Sequence, residues 1–176
     1  MELLTLHSAI QNTGTTFVGG NVGTYPGATI AGYPPGTLSG GIYPGVSLAG
    51  DAQKYCTTAF KKALALSPTT TLPSPNLSGL VLPPGVYTFP AANVVLNTVL
   101  TLNGASNPNG QWVFLIKGTL SSAAGASVQL VNAAQACNVY FVVEQSAGLG
   151  DSNRWQGNVI AVDTIKVGKG TSNYGT

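Results

Sequence analysis

The chain has 176 residues and a formal net charge of +2, and charged side chains occupy only 7% of positions, against about 25% in an average protein. A single arginine and no run of basic residues beside aromatics exclude the electrostatic footprint of a nucleic-acid binder. No apolar run approaches the ~20 residues of a membrane-spanning helix. With 44% hydrophobic residues the chain can bury a core, and its length suits one domain over 1–176.

Residues 4–46 read as short strands broken by Gly and Pro. Thr16-Phe17-Val18, Asn21 to Tyr25, Thr29-Ile30-Ala31 and Thr37-Leu38-Ser39 are separated by Tyr25-Pro26-Gly27, Tyr33-Pro34-Pro35-Gly36 and Tyr43-Pro44-Gly45. Pro presets φ and Gly relieves steric limits in such turns, and strands this short with tight corners suit a coil. A helix follows over about 48–66. Leu48, Ala52, Tyr55, Cys56, Ala59, Phe60, Ala63 and Leu66 recur at helical spacing as one apolar stripe. Asp51 near the start and Lys61 and Lys62 near the end complement the helix dipole, and Ser67-Pro68 stops it. The stripe predicts a brace packed along a β-core.

From residue 79 the pattern is strand-like again, through 80–82, 86–89, 99–102, 112–116, 127–130, 139–143 and 159–162. Trp112–Ile116 and Val139–Val143 are almost wholly apolar, as in strands covered on both faces, and the helix is the expected cover. Asn138-Val139 and Asn158-Val159 lie about twenty residues apart, and Gly20-Asn21-Val22 echoes them. A period near twenty with Gly-rich corners is the signature of a solenoid, whose turns bury their faces only by stacking.

The residues of chemistry are scarce. The acids are Glu2, Asp51, Glu144, Asp151 and Asp163, too few and too scattered for the carboxylate pair of a glycosidase. Arg154 near Asp151 reads as a surface ion pair. His7 is the only histidine, so no zinc spacing forms with two distant cysteines. No Gly-x-Ser-x-Gly elbow or phosphate loop occurs. The expectation is therefore no catalytic residue, no metal and no cofactor. Cys56 and Cys137 can form one disulfide or remain two buried thiols, and the sequence leaves both open.

Together these segments resemble the large β-helical ice-binding (antifreeze) protein family of cold-adapted microbes. The resemblance is carried by Asn12-Thr13-Gly14, Gly20-Asn21-Val22-Gly23, Gly32-Tyr33-Pro34-Pro35-Gly36-Thr37 and Leu80-Val81-Leu82-Pro83-Pro84-Gly85-Val86-Tyr87-Thr88-Phe89. Its strongest stretch runs from Leu100 to Val143, with Asn107-Pro108-Asn109, Trp112-Val113-Phe114, Gly118-Thr119-Leu120 and Gln135-Ala136-Cys137-Asn138-Val139-Tyr140-Phe141. The resemblance implies a mostly-β fold, a right-handed and roughly triangular β-helix whose coil is discontinuous in sequence, with one long α-helix packed alongside. It implies adsorption to ice crystal surfaces by a secreted monomer, with no membrane or nucleic-acid partner. It also implies a signal peptide removed before Met1 and one or two further turns after Gly168–Gly175.

Low charge has a functional meaning on such a scaffold, because hydroxyls and methyls can order water where charged groups impose their own hydration. Alternation puts Thr37 and Ser39 outward around Leu38, Gln156 and Asn158 around Gly157, Asn21 beside inward Val22, and Thr164 beside inward Ile165. Thr13-Gly14-Thr15-Thr16 is the one clear Thr-rich motif of the family's ice face, and by resemblance Ser8, Thr29 and Thr164 share one flat side. The candidate ice-contacting residues are thus Ser8, Thr13, Thr16, Asn21, Thr29, Thr37, Ser39, Gln156, Asn158 and Thr164. A carbohydrate-binding or adhesin-like solenoid is the alternative, with Tyr25, Tyr33, Tyr43 and Trp155 as its exposed aromatics.

Overall fold

The computed structural model describes residues 3–6, 10–12, 14–18 and 20–175, and its chain forms two compact units, 1–61 and 62–176. The first unit winds through β1 (Leu3–Leu6), β2 (Ile10–Gln11), β3 (Phe17–Val18), β4 (Val22–Tyr25), β5 (Ile30–Ala31), β6 (Thr37–Leu38) and β7 (Ile42–Pro44), then enters helix α1 (Ser47–Leu64). Every pairing is parallel: β1 with β4 and β4 with β7, β2 with β5, β3 with β6. Ile10 lies opposite Ile30, Phe17 opposite Thr37 and Val22 opposite Ile42, so the repeat of about twenty is a true turn of coil here. Asparagines bracket the turns: Asn12 Nδ2 donates to the Gly32 carbonyl at 2.9 Å, and the Gly41 N–H donates to Asn21 Oδ1 at 2.9 Å.

Helix α1 buries one edge of the stripe its sequence suggests, with Ala52, Cys56, Phe60 and Ala63 half-buried. Its buried residues are Ala49, Gly50 and Gln53, whereas Leu48 and Tyr55 are 60% and 76% exposed. A Cβ on Gly50 would stand 3.1 Å from the Tyr25 ring, so the helix comes close to the coil at that position, while Leu48 and Tyr55 turn outward. The first turn of α1 carries no acid; Asp51 lies just beyond it and pairs with Lys54 at 3.1 Å instead. That bond and the Asp51 charge raise the Lys54 pKa above its usual value.

The second unit is a three-sided coil. Its strands are β8 (Thr70–Thr71), β9 (Val81–Leu82), β10 (Gly85–Thr88), β11 (Val94–Leu96), β12 (Val99–Asn103), β13 (Trp112–Ile116), β14 (Leu120–Ser122), β15 (Ser127–Val131), β16 (Val139–Val143), β17 (Ala147–Leu149), β18 (Arg154–Gln156), β19 (Asn158–Ala161), β20 (Ile165–Val167) and β21 (Ser172–Tyr174). They stack into three parallel sheets: β8-β10-β13-β16-β19, β11-β14-β17-β20 and β9-β12-β15-β18-β21. A turn takes one strand from each sheet, the solution expected when no turn can bury its own face.

The turns differ in length. Trp112 lies opposite Val139, but Tyr140 lies opposite Asn158, so the last turn is shorter than the one before. This shifts the apparent repeat: Asn158 aligns with Tyr140 rather than with Asn138, and Val159 aligns with Phe141. Loop residues added at the corners change the period without disturbing the strand register.

Stacked turns place like side chains over one another. Tyr87, Phe114 and Phe141 form one inward file, with ring centroids 5.4 and 4.8 Å apart, and the Trp155 ring caps it 4.8 Å from Phe141. Each such pair adds about 0.5–1.5 kcal/mol beyond its area burial. Trp112 Nε1 donates to the Leu82 carbonyl at 3.0 Å, and the Tyr87 hydroxyl donates to the Pro83 carbonyl while burial raises its pKa. Strand β13 is buried along its whole length, outward Val113 and Leu115 included, which agrees with its unbroken apolar sequence.

Cys56 and Cys137 are both half-buried. Cys56 sits on α1 and Cys137 in the short 3-10 turn Ala136–Asn138, where its thiol is held 3.6 Å from Gln135 Oε1.

Removing one ring from the inward file tests this packing. Phe114→Ala is expected to cost about 3–5 kcal/mol, read as a lowered midpoint in chemical unfolding. Gly157, at φ 128° and with a Cβ position 2.7 Å from Val139 Cγ1, is a corner where both conformation and space demand glycine. Gly157→Ala should therefore destabilise by more than about 1 kcal/mol, by the same measurement.

Candidate functional site

Within each unit the sequence-based candidates fall on more than one strip. In the first unit, the Thr37 N–H donates to the Thr16 carbonyl at 2.9 Å, and the Ser39 N–H donates to the Val18 carbonyl at 3.0 Å, which groups Thr16, Thr37 and Ser39 along the β3–β6 strip. Thr37 and Ser39 are exposed around half-buried Leu38, as alternation requires. Thr29 stands at a different strip, with its carbonyl accepting from Ile10, and Asn21 spends its side chain bracketing a turn. Ser8 and Thr13 lie outside the described residues.

In the second unit the three candidates fall on three different sheets. Gln156 ends β18 opposite Tyr174. Asn158 opens β19, and its Nδ2 donates to the Val139 carbonyl at 3.3 Å. Thr164 is exposed at the start of β20, with its carbonyl accepting from Ala147 at 2.8 Å.

The three faces differ in what they present. The first sheet has buried residues at outward positions, among them Val113, Leu115 and Val142, and so offers little there to solvent. The third sheet is uneven: Val81 is 61% and Tyr174 67% exposed, Arg154 aligns with Ser127, and exposed Gln129 continues the file of Val81 and Thr101.

The second sheet is different in kind. Its inward residues Val94, Leu96, Leu120, Ala147 and Leu149 are buried. Its outward file runs Val95, Ser121, Gly148 and Lys166 in continuous register. Thr119, Ser146 and Thr164 directly precede inward Leu120, Ala147 and Ile165, and form a second outward file. It is tied into the ladder: the Thr119 N–H donates to Asn93 Oδ1 at 3.0 Å, and the Leu120 N–H donates to the Ser146 carbonyl at 3.1 Å. Neighbours along a file stand about 4.7–4.9 Å apart, set by backbone hydrogen bonding.

Gly148 identifies the constraint on this face. A Cβ there would meet nothing within 4 Å, and the residue is not among the positive-φ glycines. Neither packing nor backbone conformation calls for glycine inside this strand, where it costs stability. What it does is keep the outward surface level.

Thr119, Ser121, Ser146 and Gly148 were not singled out as contact residues by sequence reasoning. Strands of three residues, such as β14 and β17, are too short for alternation to be read with assurance. The usable signal was the recurrence of a small or hydroxylated residue on each side of an inward one.

The aromatic platform of the carbohydrate-binding alternative is not assembled. Trp155 is fully buried against Phe141, and Tyr33 and Tyr43 are half-buried, leaving Tyr25 exposed among the four. Among the described residues no group of three or more His, Cys, Asp or Glu side chains is placed to hold a metal, and no helix is long and apolar enough to cross a membrane.

A family model described as ice-binding-like matches residues 4–176. An ice-binding protein of Nostoc sp. (strain HG1) is 34% identical over 165 residues, covering 94% of this chain and 61% of that protein. The chain thus spans about three fifths of that relative's length. The crystal structure of an ice-binding protein from the Antarctic ascomycete Antarctomyces psychrotrophicus is similar at a TM-score of 0.92 and 34% identity, over 99% of this chain and 85% of that one. An ice binding protein from an Antarctic biological consortium is similar at a TM-score of 0.86 and 27% identity, over 99% and 85% of the two chains. A coil of stacked parallel turns with one helix, matched by a family model along almost all of its length, belongs to the ice-binding-like family.

Proposed function

We propose that this chain binds ice crystal surfaces through the outward face of the second sheet, and that it acts outside the cell as a monomer without catalysis or cofactor. The names of its relatives support ice as the ligand. The observation that carries the choice of face is the level, small-residue array of Thr119, Ser121, Ser146, Gly148 and Thr164, with glycine at a position that no packing demand explains.

The physical account is geometric. Parallel stacking fixes a repeat of about 4.7–4.9 Å in one direction, and alternate residues along a strand give about 6.6 Å in the other. Hydroxyls of Thr and Ser both donate and accept, so they can join a water layer at lattice-like spacing while the Thr methyl groups and the Gly backbone leave that layer undisturbed. Because the side chains are short or β-branched, little rotamer freedom is lost on contact. Adsorbed molecules then force the ice front to grow between them as a curved surface. That gives thermal hysteresis and slows recrystallisation.

A bulky group on the level face should lift it off the ice without touching the core. Ser121→Tyr and Gly148→Tyr are expected to lose most hysteresis at micromolar protein and to keep the unfolding midpoint of the parent. Gln129→Tyr, on the third sheet, should retain parental activity. Equal activity in all three would contradict the choice of face, and circular, unshaped crystals in the parent itself would contradict ice binding.

A further inference from the structure

Five charged residues of the second unit stand at the corners that bound the level face. Lys117, Glu144 and Asp163 are exposed at the corner that leads from the first sheet to the second. That corner is itself stacked, with Glu144 N–H donating to the Ile116 carbonyl at 2.9 Å and Asp163 N–H to the Gln145 carbonyl at 3.2 Å. Asp151 and Lys169 stand at the corner that leads out of the second sheet, where the Lys169 N–H donates to Asp151 Oδ1 at 2.8 Å. These side chains border the face without occupying it.

Lys166 breaks that arrangement. It is the middle residue of β20, in register with Gly148, and it projects between inward Ile165 and Val167 as the fourth member of the file Val95, Ser121, Gly148. It is exposed, and Lys54–Asp51 is the ion pair found among the described residues, so no carboxylate draws the Lys166 ammonium aside. Its neighbour on the same strand, Thr164, belongs to the hydroxyl file.

We infer that Lys166 is the residue that limits the extent of the ice-contacting surface, an inference that rests on the second-sheet reading. The ammonium rides on a flexible four-carbon stem and is strongly hydrated, whereas the level of the face is set one turn earlier by a residue with no side chain. Its three donors and absent acceptor orient the surrounding water outward, so the group cannot take the place of a water that both gives and receives. The fourth turn therefore contributes Thr164 but loses the position beside it.

The test replaces Lys166 by the residue type the neighbouring file uses. Lys166→Thr is expected to raise hysteresis measurably above the parental level at equal molar concentration, the gain from one more small side chain brought against the ice. Lys166→Arg, which keeps both bulk and charge, should stay at the parental level, and circular dichroism melting should show both variants folded like the parent. If Ser121→Tyr is inactive and Lys166→Thr shows no gain, the boundary role of Lys166 is wrong while the face stands. If Ser121→Tyr is fully active, the face is wrong and the inference falls with it.

Discussion

Everything in the second unit depends on the parallel backbone ladder between successive turns. Each strand hydrogen-bonds to the turn before and after it in matched register, from β10 through β13 and β16 to β19 on the first sheet. Register in a coil is not free, because a slip of one residue would turn every inward side chain outward. The ladder thus decides at once which residues stack in the core and which form the outward files. The file of Tyr87, Phe114 and Phe141 is the clearest inward result, and the file of Val95, Ser121 and Gly148 is the clearest outward one.

The same ladder explains how a protein with so few charges can present an ordered surface. Order comes from backbone spacing, so the side chains need only be short and stiff enough not to blur it. Variable corners absorb differences in turn length, as between Trp112–Val139 and Tyr140–Asn158, and leave strand spacing untouched. The three faces are consequently free to diverge: apolar and shielded at β13, rough and partly charged around Arg154 and Tyr174, level at β14 and β17.

The coil itself was legible in the sequence. The twenty-residue period was in phase in the first unit, and the all-apolar strands at Trp112–Ile116 and Val139–Val143 were buried as their composition required. The helix was legible in place but only partly in orientation, because an apolar stripe counts size and Gly50 stands where the Tyr25 ring comes close. The second-unit repeat was misaligned by two residues for a related reason: matching Asn-Val pairs mark corners, and corners are where the turns vary. The contact face was the least legible part. Candidates picked one at a time as outward and polar include Gln156, Asn158 and Thr164, which the three-sided coil sends to three sheets. Only stacking shows which outward residues lie over one another, and glycine at position 148 carries meaning only once its empty surroundings are known.

The central claim, that this chain adsorbs to ice, is tested most directly by ice-affinity partitioning. A polycrystalline ice hemisphere is grown slowly through a dilute solution of the protein and a non-binding protein of equal size, and the two are quantified in the ice and in the remaining liquid. The account predicts that the protein is taken up into the ice at or above its starting concentration while the control is excluded. Exclusion of both to the same degree would contradict it.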